Sequence, residues 1–228
     1  MSEIIELKKV VTLKEVKADS RVKSYIQGAN DLLNAMGYTE HGHRHSNIVS
    51  SITRYILNSL EAPEREAELG AIAAYLHDIG NVVNRLNHPM IGAVIASNIL
   101  YDMGMAPDEI AQIAGAIGNH EEHEGTAVSR MSAALIIADK SDVHHSRVQN
   151  PIMETFDIHD RVNYAVQKSR VEVEPRSRII ELVLEIDTDF ATVMEYFEIF
   201  LSRMVMCRRS ADVLGCRFKL TINGVALQ

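Results

Sequence analysis

The sequence predicts a mostly α-helical protein closed by a small β-α-β extension at its C-terminal end. Two observations carry that expectation. Across residues 22–169, apolar side chains return every three or four positions, in segments separated by Gly, Pro and short polar stretches, as in helices that each bury one face. From Arg178 the period falls to two. Ile180, Leu182, Leu184 and Ile186 alternate with Glu181 and Glu185, which is a strand with one wet face.

The elements follow in order. The first twenty residues mix Lys and Glu with Val, Ile and Leu and predict no element. Residues 22–36 read as a helix with Val22, Ile26, Ala29, Leu32, Leu33 and Met36 inward, ended by Gly37. Residues 38–46 read as a turn into a helix carrying Ile48, Val49, Ile52, Tyr55, Ile56 and Leu60. Pro63 restarts the chain into a mostly buried helix on which Leu69, Ile72, Ala73, Leu76 and Ile79 recur, with Gly80 expected as its C-terminal cap. His88-Pro89 opens a helix with Pro at its first position; Ile91, Val94, Ile95, Ile99 and Leu100 are its apolar face and Gly104 stops it. Pro107 starts another, running through Ile110, Ile113, Ala114 and Ile117 to Asn119-His120. Residues 132–140 are again helical, and residues 157–169 read as one more helix. In the tail, Thr188-Asp189 is expected to cap a helix bearing Phe190, Val193, Met194, Phe197, Leu201 and Met204. Phe218, Leu220 and Ile222 alternate in a second strand, and Asn223-Gly224 is a hairpin turn signal. Residues 171–177 are the expected joint, dividing a helical domain (1–170) from the extension (171–228) packed on it.

Composition narrows the function. A formal charge of −8 argues against binding a nucleic-acid backbone. No apolar run reaches membrane-spanning length, and the N-terminal residues are too charged for a signal peptide. Cys207 and Cys216 form no metal-type or redox-type pair, so two reduced thiols in a cytoplasmic protein are expected. The departure from ordinary composition is histidine. Seven of the ten imidazoles lie between His41 and His123.

His45, His77, Asp78, His88, His120 and Asp139 all sit near the ends of expected helices. Helix ends converge in a bundle, so these groups can meet in one polar pocket. Four imidazoles and two carboxylates suit a transition metal better than calcium or magnesium, which prefer all-oxygen shells. A carboxylate able to bridge would let six such ligands hold two ions. His41 and His43 read as solvated turn residues, His123 as a surface residue in a Glu-rich loop, and His144-His145 as exposed. Asn119 reads as a helix cap. Asp142 is an acceptor able to orient a ligand from behind. Arg44, Arg85, Arg130 and Arg147 compete with Lys140 for an anionic substrate.

The order His45, His77-Asp78, Asp139 resembles the H…HD…D signature of the HD superfamily of metal-dependent phosphohydrolases. Leu76-His-Asp-Ile-Gly80 is similar to the usual end of that family's HD helix. His88-Pro-Met-Ile-Gly-Ala93 and Asn119-His-Glu121 resemble the additional His motifs of its two-metal branch, and residues 134–142 resemble its closing helix. The resemblance spans residues 22–142. It implies that His45, His77, Asp78 and Asp139 hold a first metal, that Asp78 bridges, and that His88 and His120 complete a second site. Asp78 and Lys140 are then the expected catalytic residues, Lys140 as a point charge on a phosphoryl oxygen. The cyclic-dinucleotide branch has paired His where this chain has Asn119-His120, and its Gly-Tyr-Pro signature is missing after Gly125. That substrate is therefore not expected.

The resemblance implies a binuclear hydrolase of a phosphate ester, nucleotide or other phosphorylated small molecule, that uses metal-activated water. The cofactor is one or two divalent ions of Fe, Mn, Ni, Co or Zn. Two rivals share the ligand set: a di-iron oxygenase and a non-catalytic nucleotide-sensing module. The strand edges of the tail offer either a homodimer interface or a lid.

Overall fold

In the computed structural model, residues 10–122 and 125–227 are described. Local chemistry starts the helices. Thr12 and Glu15 form a reciprocal capping box on α1 (Leu13–Ala18), and Asp19 accepts from the first N–H groups of α2 (Ser20–Ala35). Gly37, in the left-handed region at φ 82°, ends α2. Then come α3 (His43–Ser59), α4 (Glu64–Leu76), α5 (His88–Asp102), α6 (Pro107–Gly118), α7 (Arg130–Ser141) and α8 (Ile158–Ala165).

The bundle is built around α4. Every residue from Leu69 to Leu76 is buried, because α3, α6 and α7 all pack against it. Small residues make this enclosure possible: a Cβ on Gly70 would lie 2.6 Å from Leu57 Cδ1. α7 is equally enclosed, buried from Met131 to Ser141. The polar groups at the ends of these two helices are therefore drawn inside with them, and each must find a partner there.

The junction after α4 differs from expectation. His77 and Asp78 lead into a 3-10 turn (Ile79–Val82) that contains Gly80, so this glycine is not a left-handed cap. Its role is close approach. A Cβ at Gly80 would sit 2.1 Å from the His88 carbonyl oxygen and 2.5 Å from the Gly92 nitrogen, so the turn and α5 touch through backbone. On α5 itself, Pro89 is the second helical residue rather than the first, and Val94 faces solvent at 62% exposure instead of joining the apolar face.

The tail also corrects the sequence reading. The helix expected over 157–169 ends at Ala165, and β1 (Val166–Glu174) begins at once. The expected joint at 171–177 therefore falls partly inside a strand. β2 (Ile179–Ile186) pairs antiparallel with β1 and parallel with β3 (Arg217–Ile222), and β3 pairs antiparallel with β4 (Val225–Leu227). α9 (Val193–Val213) is the crossover of the β-α-β unit, capped by Thr192 with Glu195 rather than by Thr188-Asp189. Asn223 and Gly224 both have positive φ, 50° and 78°, as a tight hairpin turn requires. α9 packs on α7, and one apolar core runs from Val11 to Ile222 across both parts of the chain. Cys207 and Cys216 are free and buried. Among the described residues, no helix is long and apolar enough to cross a membrane.

The backbone contact at Gly80 yields a prediction. Gly80→Ala should destabilise the protein by about 2–3 kcal/mol in urea unfolding, since backbone rather than a flexible side chain must give way. Gly115→Ala on α6, where an added Cβ meets nothing within 4 Å, should be neutral or stabilising by up to about 1 kcal/mol. Equal effects at the two positions would contradict the assigned contact.

Candidate metal centre

All six expected ligands converge. His45 lies in the first turn of α3, His77 and Asp78 follow α4, His88 opens α5, His120 follows α6 and Asp139 lies in the last turn of α7. The four imidazoles are at most 2% exposed, Asp78 5% and Asp139 9%.

The donor atoms fall into two sets that share Asp78. In the first, His45 Nε2 lies 3.3 Å from His77 Nε2, 3.2 Å from Asp139 Oδ1 and 3.6 Å from Asp78 Oδ2. His77 Nε2 lies 3.3 Å from Asp78 Oδ2 and 3.5 Å from Asp139 Oδ1. In the second, His88 Nε2 lies 3.2 Å from His120 Nε2 and 3.3 Å from Asp78 Oδ1, and His120 Nε2 lies 3.8 Å from the same oxygen. The two oxygens of Asp78 thus face different imidazole sets, as a bridging carboxylate does.

The chemistry of the set fits divalent cations. Each Nδ1 meets an acceptor: His77 the Ala74 carbonyl at 2.8 Å, His88 the Arg85 carbonyl at 3.0 Å, His120 the Ile117 carbonyl at 2.7 Å. His45 Nδ1 meets Asp142 Oδ2 at 2.7 Å. With a proton placed on Nδ1 by these acceptors, each Nε2 is aimed at the shared centre, His88 Nε2 lying also 3.2 Å from Arg85 Nη1. Facing lone pairs and carboxylates repel unless something positive lies among them. The spacing agrees as well, because two ligands each about 2.1 Å from one ion, at tetrahedral or octahedral angles, lie roughly 3.0–3.4 Å apart. Three overlapping groups of these residues can hold a metal ion: His45-His77-Asp78, His77-His120-Asp139 and Asp78-His88-His120.

The electrostatics point the same way. Burial works against charge on His77, yet the Asp78 and Asp139 carboxylates outweigh it and push the imidazole up to about 10. Burial also opposes charge on Asp78 and Asp139. His77 and the hydrogen bonds around Asp78, and Lys140 beside Asp139, nevertheless hold both carboxyls well below the usual range. The pull of the two carboxylates on an imidazolium is the pull they exert on any cation placed between them. His120 is driven the opposite way, first by burial and then by the nearby His77, which leaves it a neutral donor.

The surrounding residues sort differently from expectation. Lys140 is 4% exposed, with Nζ 2.8 Å from Asp139 Oδ2, 3.0 Å from Glu122 Oε2 and 3.9 Å from Glu121 Oε1. Held by three carboxylates, it balances Asp139 instead of meeting substrate as a free point charge. Arg44 binds both oxygens of Asp142, and Arg147 donates to the Glu40 and Asp142 carbonyls. Arg130 reaches Leu60 and Glu66. Asn119 caps α6, donating to the Gly115 carbonyl. His144 and His145 stack on each other outside the cluster, and His123 lies outside the described residues.

A cleft of about 760 Å³ opens over His88, and Tyr38, His41, Arg85, Ile199 and Arg203 are among its lining residues. His41 is half-buried there, its ring edge-on to His45 at 5.5 Å, rather than solvated. Arg203 comes from α9, in the part of the chain where sequence reading sought no site residue. Periodicity alone gives such an Arg no mark that separates it from a surface one.

Asp142 yields the second prediction. Asp142→Asn should retain metal but weaken its affinity about 10–100-fold in metal-buffered titrations, because His45 loses the carboxylate that orients it. Unchanged affinity would remove Asp142 from the site.

The chain is similar to one protein family and to two known proteins. The HD domain family model matches residues 42–147. An uncharacterized protein of Methanocaldococcus jannaschii, MJ1020, is 24% identical over 206 residues, a match covering 79% of each chain. The crystal structure of a predicted HD superfamily hydrolase from an uncultured Thermotogales bacterium is 21% identical, with a TM-score of 0.43, over 59% of this chain and 75% of that one. All six converging side chains lie within residues 42–147, the stretch that matches the HD domain family model.

Proposed function

We propose that this protein is a metal-dependent phosphohydrolase that cleaves a phosphate ester of a small molecule, with nucleotides among the candidates. The observation that supports this most is the position of Asp78, whose two oxygens serve separate imidazole sets under a cleft lined by two guanidiniums. Divalent ions of Fe, Mn, Co, Ni or Zn, when bound, supply Lewis acidity that lowers the pKa of water and stabilises anionic phosphoryl oxygens.

The side chains provide the rest. His45, His77, Asp78 Oδ2 and Asp139 Oδ1 would hold one cation, and Asp78 Oδ1, His88 and His120 a second. Two divalent cations outweigh the charges of Asp78 and Asp139, so the floor of the cleft attracts a phosphoryl group. Four fixed imidazoles keep those positions from shifting as charge develops, which is the value of a preorganised site. Lys140 holds Asp139 ionised and in place through the 2.8 Å contact to Oδ2. Arg85, on the cleft wall with Nη1 3.2 Å from His88 Nε2 and Nη2 3.5 Å from Glu121 Oε2, offers its remaining donors to an ester bound there.

His77→Ala and Asp78→Ala should each lose metal, measured by elemental analysis, and lose turnover of a generic aryl phosphate down to the buffer rate. A variant that kept both its metal and its rate would end this reading.

A further inference from the structure

The cleft is only partly a product of the HD domain. Asp157 and His159 from the α8 region, and Ile199, Ser202 and Arg203 from α9, also line it. Arg203 stands out among them. Its Nε donates to Glu122 Oε1 at 2.7 Å, and its guanidinium lies over the Phe200 ring at 4.6 Å. Those two contacts fix the plane of the fork. Among the described residues, Arg203 meets a carboxylate through Nε, and Nη1 and Nη2 are the atoms it can turn to another anion.

Asp139, Lys140, Glu122 and Arg203 form a chain of contacts at 2.8, 3.0 and 2.7 Å, with two negative and two positive members. Lys140 also lies 3.9 Å from Glu121 Oε1, so with Asp139 committed to a cation the two positive members face Glu121 and Glu122. Of the two positive members Arg203, at 23% side-chain exposure, is the one that lines the cleft. Lys140 and Glu122 stand between Arg203 and Asp139 in this chain of contacts, which sets the guanidinium apart from the carboxylates that would hold the cations.

Resting on the phosphoester reading above, we propose that Arg203 binds a second anionic group of the substrate. The C-terminal β-α-β unit thereby selects phosphate esters that carry a further carboxylate or phosphate. Arg203 is a specificity-determining residue, contributed by chain outside the HD domain.

The test uses the full-length, metal-loaded protein and two phosphonates, whose C–P bond is not an ester, so binding is read without turnover. Calorimetry should show 4-phosphonobutyrate binding about tenfold or more tighter than butylphosphonate. Arg203→Met, which keeps the apolar stem, should reduce that preference to less than about twofold while metal content stays at the wild-type level, and Arg203→Lys should fall between. The proposal is overturned if the wild type shows no preference, or if the preference survives in Arg203→Met, since the carboxylate would then be binding the cations. Loss of metal in both variants would make Arg203 structural and overturn it too. Failure to hydrolyse any ester, with the phosphonate preference intact and dependent on Arg203, would count against the hydrolase reading alone.

Discussion

Six buried polar side chains meet where α3, α4, α5, α6 and α7 end, and their lone pairs and negative charges point at one another. That mutual repulsion is the constraint on which the architecture turns. Burying an imidazole or a carboxylate without a partner costs several kcal/mol, and here many of the inward-facing atoms meet other acceptors, with Asn81, Arg85 and Lys140 the donors set against them. Helix termini supply the framework cheaply. The final carbonyls of α4 and α6 have no partner within their own helices, and the Nδ1 protons of His77 and His120 occupy carbonyls three residues upstream. The groups that would be orphaned at the helix ends are the ones that aim the ligands.

The same logic ties the β-α-β unit to the site. α9 packs along α7, and the charge chain from Asp139 through Lys140 and Glu122 reaches Arg203 on its surface. Glu122 is buried, but Lys140 and Arg203 keep it ionised well below the usual carboxylate range. Removing any member of this chain would strand a buried charge, which costs more than the pair itself is worth. The extension therefore belongs to the same electrostatic unit as the metal ligands.

Much of this was legible in the sequence because the informative residues break a pattern. His77-Asp78 at the end of an apolar helix, and His88, His120 and Asp139 at other helix ends, are expensive where they stand, and that expense marks them. Other features carry no such mark. Gly80 follows an apolar helix as a cap would, and its actual role depends on α5 crossing it. β1 announces itself only through Val171 and Val173 alternating with Glu172 and Glu174, after a polar helix had absorbed its first residues. Arg203 sits on an amphipathic helix where an Arg ordinarily meets solvent, and Lys140 looked free until the fold set Glu121 and Glu122 against it.

The proposed function requires one carboxylate, that of Asp78, to be shared between two cation positions. Anomalous diffraction from crystals of protein purified without added metal, collected on either side of the absorption edge of the ion found by elemental analysis, measures that directly. Two peaks flanking Asp78 are predicted, one within bonding distance of His45, His77 and Asp139 and the other of His88 and His120. A single peak, or a pair not bridged by Asp78, would contradict it.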